Sequence, residues 1–330
     1  MRERQKGVTI KDVAEAAGVN RSTVSRAFTR PDLIRPETTA HILSVARQLG
    51  YSPNHTARAL STGRPANIAL IVPDLINPFI PQVISGVQRA ADAQDHCVLI
   101  GNAEEDAATE ARLLSRFVGQ VAGAIIVASR ASDAQLRRFE EEMPVVLINR
   151  DIENMSRVIV DSTRGMTEAV QHLIGLGHRR ICYLGSGKSR WSDAHRRMAM
   201  AQACSEAGVE LVTLAATELS FAGGKASAAA VASSAVSAVV AFDDLLAQGL
   251  LAGLAEKGVK VPEDLSLIGC DDLLSEMTYP ALTSITGRAV DTGRMAVDLL
   301  FQRLRSPHPL DARITLSTQL VLRATTAATR

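Results

Sequence analysis

The stretch VTIKDVAEAAGVNRSTVSRAF, residues 8–28, carries two helix signals separated by a glycine. Thr9 followed three positions later by Asp12 is a capping pair, in which each side chain can satisfy a backbone N–H left open by the helix start. Ile10, Val13, Ala14 and Ala17 then recur at helical spacing, and Gly18 stops the run. Asn20 suits the N-cap of a second helix, in which Val24 and Ala27 face a core. Two short helices joined by a Gly-centred turn read as a helix-turn-helix, whose second helix enters the DNA major groove with its N-terminal residues at the base edges. Those residues are Arg21, Ser22 and Thr23, with Arg26 one turn later; Thr9 is placed at the DNA with them. Arginine can read guanine through O6 and N7 together, and the alternative for Arg21 is a plain phosphate contact.

The pattern extends outward. Pro36 fits the first turn of a third helix, with Ile42, Val45, Ala46 and Leu49 on one face and Gly50 at its end. In YSPNHTARALSTGR, residues 51–64, Pro53 and Asn54 can open a short helix with Ala57, Leu60 and Ser61 on one side. So short a helix is marginal alone in water and forms only with a partner. Residues 1–65 contain eleven Lys/Arg and five Asp/Glu, whereas the rest contain 25 and 30. A basic head on an acidic body points to a head that meets nucleic acid, although a solvated charged arm would carry the same balance.

The full chain of 330 residues is long enough for two or three domains, and 46% of it is apolar. Its four cysteines form no C-x-x-C pair, so neither a zinc site nor a disulfide scaffold is expected. Cys97, Cys182 and Cys270 lie in apolar runs and read as buried thiols, which fits a reducing cytoplasm. No apolar run is long enough to span a membrane. The N-terminus has charges but no apolar core of a signal peptide.

Beyond residue 65, apolar runs alternate with helical patterns: NIALIV, CVLIGN, GAIIVA and VVLIN, then RVIVD, RRICYLG, AVVAF and LSLIGCD. Helical stretches such as 80–95, 106–119 and 164–177 separate them. This order predicts an α/β body with about eight parallel strands in two sets of four, forming two lobes. Ligands of such folds bind at the carboxyl ends of the strands. Residues 226–240, rich in Ala, Ser and Val, suit close packing and are not a linker.

One motif has to be weighed against a nucleotide site. In YLGSGKSRW, residues 183–191, Gly187-Lys188-Ser189 matches the end of a P-loop. The first glycine of that pattern would fall at position 182, which is Cys182, so the phosphate-wrapping turn has no opening residue. VVAFDD, residues 239–244, only imitates a Mg²⁺-holding strand end. Nor does the spacing of the seven histidines support a catalytic constellation, and His178 reads as structural.

TIKDVAEAAGV, STVSRAF and LGYSPNHTARAL together resemble the LacI/GalR family of bacterial transcription regulators. DLINPF, GHRRICYLG, FDDLLAQGLLAGLAEKGVKVPEDLSLIGCDD and YPALTSI extend the resemblance through the body, so that it covers nearly the whole chain. The resemblance implies an all-α helix-turn-helix headpiece at 1–53 and a hinge helix and linker at 54–65. Residues 66–330 would form a two-lobed body like a periplasmic binding protein. Lobe 1 would take about 66–161 and 287–317, and lobe 2 about 162–286 and 318–330, with the last crossovers near 286–292 and 315–320. The hinge position matching the family's minor-groove wedge is Leu60, beside Ala57 and near Asn54. Two departures occur in the third helix: Arg35 stands at the usual hydroxyl cap, and Thr39 where an Arg is usual.

The same resemblance places an effector among the strand ends. Arg196 matches the Arg of an Arg-x-x-Gly-aromatic motif whose last two positions are here Ala199 and Met200. Asp271 matches the effector aspartate; a carboxylate accepts from several hydroxyls at once. Asp243 stands where an Asn is usual and could reach the ligand, while Asp244 would cap the following helix. Asn149, in place of a frequent Asp, and Arg150 end another strand, and Phe79 would stack from the first lobe. Arg190 is a further candidate. Trp191, the single tryptophan, reads either as a flat platform for a ring or as a packing residue.

The reading is a non-enzymatic, sequence-specific, homodimeric DNA-binding regulator. Its partners would be double-stranded operator DNA and a sugar, sugar derivative or nucleoside, with no cofactor, metal or membrane. It would be a cytoplasmic repressor released by its effector. The alternatives are a purine-type repressor that its ligand strengthens, and a solute-binding protein without a DNA role.

Overall fold

The computed structural model describes residues 8–51, 65–187, 190–306 and 311–329. The chain divides into two units, Met1–Ala66 and Asn67–Arg330. Candidate residues Asn54, Ala57 and Leu60 of the expected hinge helix lie outside the described residues.

Among the described residues the first unit holds three α-helices: α1 (Ile10–Ala17), α2 (Arg21–Thr29) and α3 (Pro36–Gln48). Thr9 and Asp12 form the reciprocal capping box, and Gly18 closes α1 in the left-handed conformation at φ 67°. Asn20 occupies the N-cap position of α2, but its side chain makes no capping bond. Val13, Ala14, Ala17, Val24, Ala27, Ile42 and Ala46 form the core, edged by Phe28 against Tyr51. Pro36 opens α3 where its missing N–H costs nothing, and Arg35 stands at the cap without a side-chain bond.

The second unit contains two six-stranded sheets rather than two sets of four. The first has the order β11-β5-β4-β3-β1-β2, formed by β1 (Asn67–Val72), β2 (Cys97–Asn102), β3 (Ala124–Val127), β4 (Val145–Ile148), β5 (Ser156–Asp161) and β11 (Arg313–Ser317). The second has the order β12-β10-β9-β8-β6-β7. Its strands are β6 (Arg180–Ser186), β7 (Glu210–Ala216), β8 (Ala238–Ala241), β9 (Ser266–Asp271), β10 (Thr283–Thr286) and β12 (Leu320–Val321). Among the described residues only the β10–β12 pairing is antiparallel. RVIVD thus belongs to the first sheet, and four strands join the eight expected. Strand β7 escaped the reading because it is a half-exposed edge strand without an unbroken apolar run. Strands β10, β11 and β12 are the other three.

Helices cover the sheets: α4 (Phe79–Asp92), α5 (Ala107–Phe117), α6 (Asp133–Glu142) and α11 (Ala289–Arg305) against the first; α7 (Thr163–Gly175), α8 (Trp191–Glu206), α9 (Phe221–Ser233) and α10 (Asp244–Glu256) against the second. The chain passes between lobes after Asp161, between β10 and α11, and between β11 and β12. Cys182 and Cys270 are buried as expected, but Cys97 is exposed, because it begins the edge strand β2. His178 is structural: its ring bonds the Ser237 hydroxyl and the Ala327 carbonyl.

The small-residue segment packs as α9 directly on α10. A Cβ on Gly249 would fall on the Phe221 carbonyl, and one on Gly224 on the Leu246 carbonyl. Backbone cannot yield as a side chain tip does, so the helices approach only because these positions are glycine. Gly249→Ala should destabilise the body by roughly 1–3 kcal/mol in denaturant titration. Gly175→Ala, at an open helix position, should change it by less than about 1 kcal/mol.

Candidate functional site

In the headpiece, burial of Val24 and Ala27 turns the opposite face of α2 outward. Arg21, Ser22 and Arg26 are exposed and Thr23 is half-buried, so the four share the start and outer side of one helix. Thr9 is exposed at the beginning of α1, where its hydroxyl bonds Asp12 at 2.8 Å.

In the body, the carboxyl ends of the strands meet in a cleft between the sheets. Its lining includes Phe79, Asn149, Arg190, Arg196 and Asp271. Arg196 projects from α8 and is buried; its Nη2 donates to Asp271 Oδ1 at 2.8 Å and its Nη1 to the Phe242 carbonyl. Its guanidinium carbon lies 4.6 Å from the centre of the Phe242 ring. Asp271 ends β9 with φ 100°, a backbone that side chains rarely adopt. Asn149, also left-handed at φ 53°, accepts from the Val160 N–H at 3.0 Å and so ties the ends of β4 and β5 together.

Asp243, not Asp244, takes the capping role, and it also keeps its place beside the cleft. Asp243 is the N-cap of α10, accepting from Leu246 N–H at 2.8 Å. It also borders a recess that shares Asn77, Phe79 and Asp271 with the cleft, and Asn77 donates to it from the other lobe at 3.1 Å. Asp244 points inward instead. It accepts from Leu273 N–H and the Ser275 hydroxyl, both at 2.7 Å, and from the Ser284 hydroxyl at 2.5 Å. Three donors from one loop and one strand hold the turn after Asp271 in place. Burial pushes the carboxyl of Asp244 up to about 8 against the pull of those hydroxyls. Burial, then the nearby charge of Asp271, raises Asp243 to about 6.

Two candidates are not brought to the cleft. Arg150 turns onto Asp133 at the start of α6, with 2.7 Å between them, because the left-handed Asn149 reverses the chain just before it. Trp191 stacks on His195 with 5.0 Å between ring centres and 9° between planes, and His195 Nε2 lies 3.1 Å from Asp161 Oδ1. This is the packing alternative for Trp191. Residues the sequence reading missed include Asn77, Glu105, Ser192 and Phe242. Asn77 lies two residues before Phe79 in DLINPF, and Phe242 directly before Asp243 in VVAFDD; Glu105 had no local signal.

Residues 9–54 match the family model described as bacterial regulatory proteins, lacI family, and residues 170–326 match the periplasmic binding protein-like domain. The HTH-type transcriptional regulator DegA of Bacillus subtilis is 33% identical over 331 residues, which spans 97% of this chain and 98% of that protein. The chain belongs to the LacI family. This regulator therefore has relatives that act in transcription, not catalysis. A LacI family transcriptional regulator from Enterococcus faecium, solved with bound ribose, superposes with a TM-score of 0.73 at 27% identity over 80% of this chain and all of that one. The lac repressor dimer on operator DNA superposes with a TM-score of 0.86 over 98% of this chain and all of that one; at 24% identity this likeness concerns the fold. No helix among the described residues is long and apolar enough to cross a membrane.

The raised carboxyl of Asp243 has a direct consequence. A folded pKa of about 6 against an ordinary 3.8 means that the folded body binds this proton more tightly than the unfolded chain. That contribution is present below about pH 4 and lost as pH rises through 6. Asp243→Asn keeps a capping acceptor and removes the ionisation. Its melting temperature should exceed that of the parent at pH 7, by up to about 3 kcal/mol in stability at 1.36 kcal/mol per pKa unit. The difference should shrink to nothing near pH 4, and a gain that does not vary with pH would contradict a costly carboxylate.

Proposed function

We propose that this regulator is a homodimeric repressor that reads a two-fold operator through Arg21, Ser22, Thr23 and Arg26. A small, hydroxyl-rich effector entering the cleft at Arg196 and Asp271 releases it. The carrying observation is that one chain joins an exposed polar helix face, matched to the lacI family model, to a cleft floored by a buried cation–carboxylate pair. Phosphate contacts supply affinity without sequence information, so selectivity rests on the α2 side chains that reach the bases. Buried Arg196 and Asp271 offer donors and an acceptor at fixed positions, as a polyol requires. In this reading Leu60 of the hinge segment is the minor-groove wedge, and the protein works in the cytoplasm.

Pairing is supported by an exposed apolar patch on lobe 2. Tyr279 is 99% and Met277 81% exposed, and Tyr279 borders a groove with Phe221, Leu251 and Ala252. A second copy of the chain is the occupant we assign, since a two-fold operator needs two headpieces. Tyr279→Glu should shift the protein toward monomer in sedimentation and weaken operator binding in parallel.

The deciding experiment is a footprint on the chain's own upstream DNA, repeated with candidate sugars. Loss of protection with ligand is the expected result; strengthened protection would make the ligand a corepressor. Arg21→Ala should cost roughly 1–3 kcal/mol at one base pair of each half-site, measured against every single-base variant. A uniform loss across variants would reduce Arg21 to a phosphate contact. Asp271→Asn should abolish the ligand response while DNA binding without ligand persists.

A further inference from the structure

The charges of the cleft are unevenly spread. At one end Arg196 faces Asp271 and, in the adjoining recess, Asp243: one cation against two carboxylates. At the other end two guanidiniums, Arg130 and Arg190, meet on Glu105, and Asp74, next to Pro73 whose carbonyl bonds Glu105 N–H, is a second carboxylate of the lining. Arg130 Nε donates to Glu105 Oε2 at 3.0 Å, and Arg190 Nη1 donates to Oε1 at 2.6 Å. Glu105 belongs to lobe 1, after β2, whereas Arg190 is the N-cap of α8 in lobe 2, so this pair crosses the mouth. Arg190 lines the cleft, and its Nε is buried with no hydrogen-bond partner among the described residues.

A buried donor on a charged group that lacks an acceptor costs more free energy than a satisfied one returns. An oxyanion seated in the cleft would remove that cost. The planar guanidinium presents Nε and a terminal nitrogen as a fork that fits a carboxylate with two parallel bonds. A neutral hydroxyl offers one weaker acceptor. The open fork of Arg190 therefore asks for an oxyanion, and the end with Asp271 and Arg196 for hydroxyls.

Resting on the effector-cleft reading above, we propose that the effector is a sugar acid, a polyhydroxy carboxylate held by its carboxylate on Arg190 and by its hydroxyls on Asp271, Arg196 and Asn149. Glu105 keeps Arg190 aimed across the mouth through the other terminal nitrogen, so that acid binding and contact between the lobes use the same side chain.

The test uses the full-length protein and a series of five- and six-carbon aldonates and uronates, each beside its neutral aldose and the aldose phosphate. Calorimetry gives affinities, and Trp191, the single tryptophan, gives an independent fluorescence titration. At least one acid should bind more than about tenfold tighter than its aldose and release operator DNA. The worth of a charge-assisted bond predicts that Arg190→Gln lowers the acid-to-aldose affinity ratio roughly ten- to hundredfold. Arg190→Lys, which keeps the charge but not the fork, should recover part of it. Melting curves of both variants check that the body is intact. An aldose or a phosphate that binds best and releases operator overturns the acid but leaves the effector cleft standing. An equal loss for acid and aldose in Arg190→Gln overturns the role of Arg190. Failure of every compound to change operator binding overturns both this proposal and the sugar-effector reading.

Discussion

The ion pair between Arg196 and Asp271 is the constraint around which the cleft is built. Both side chains are buried, and Arg196 also binds the Phe242 carbonyl and lies over the Phe242 ring. One guanidinium therefore fastens α8 to the ends of both β8 and β9. Such a pair is a poor source of net stability, because desolvation consumes most of its attraction. Its value is geometric: a planar cation and a carboxylate held at 2.8 Å present fixed donors and acceptors to whatever enters. Removing either half would leave an uncompensated buried charge, at a cost of about 3–5 kcal/mol. The isosteric Asp271→Asn also removes the charge but keeps an acceptor for Arg196 in the same place, so it disturbs the floor of the cleft less than truncation does.

The strand ends around that pair are conformationally costly. Ala128 and Asn149 in the first lobe, and Asp271, Asp272 and Leu274 in the second, all have positive φ without being glycine. Positions of this kind cost of order 1–3 kcal/mol each and persist only where neighbours over-determine them. Here the neighbours can be named. Asn149 spends its own side-chain oxygen on Val160 N–H. Asp244 collects Leu273 N–H, Ser275 and Ser284, and so fixes the turn that carries Asp271. The second acid of the FDD motif thus serves the site without lining the main cleft, and the first both caps α10 and reaches toward Asn77.

What the sequence made legible follows from how local each signal is. The headpiece could be read because capping, turn glycine and helical spacing all act within a few residues. The buried strands β1, β3, β4 and β9 were plain as apolar runs, while the edge strand β7 was not, since half of it faces outward. Arg196, Asp271 and Asn149 were found through resemblance to a family, and the fold then assembled them in one cleft. Arg150 and Trp191 each stand one position from a residue of the cleft lining and point elsewhere, and which neighbour does so depends on the backbone turn or a stacking partner. Which of Asp243 and Asp244 caps the helix is likewise a matter of register at a single residue. Glu105 was beyond reach, because its role exists only once Arg130 and Arg190 converge on it from different segments.

Control of DNA binding places a further demand on the cleft. The lobes are joined by three chain crossings and by polar bridges such as Asn77 to Asp243 and Glu105 to Arg190. Bridges that remain partly open to water contribute on the order of 1 kcal/mol or less. They bias the arrangement of the lobes without locking it. Moving a two-state equilibrium from 1:99 to 99:1 needs a difference in binding free energy of about 5.5 kcal/mol. A ligand gripped by Arg196 and Asp271 alone would touch only the second lobe, and would bind equally well in any arrangement of the two. Equal affinity shifts nothing, however tight it is. Regulatory strength must therefore come from contacts that exist only when both lobes meet the ligand together. The first-lobe side chains that can supply them are Phe79 and Asn149, with Asn77 bridging toward Asp243. On the proposed reading, affinity and response are thus divided between the lobes: the buried pair in the second would hold the ligand, and the first lobe's reach toward it would decide whether holding becomes switching.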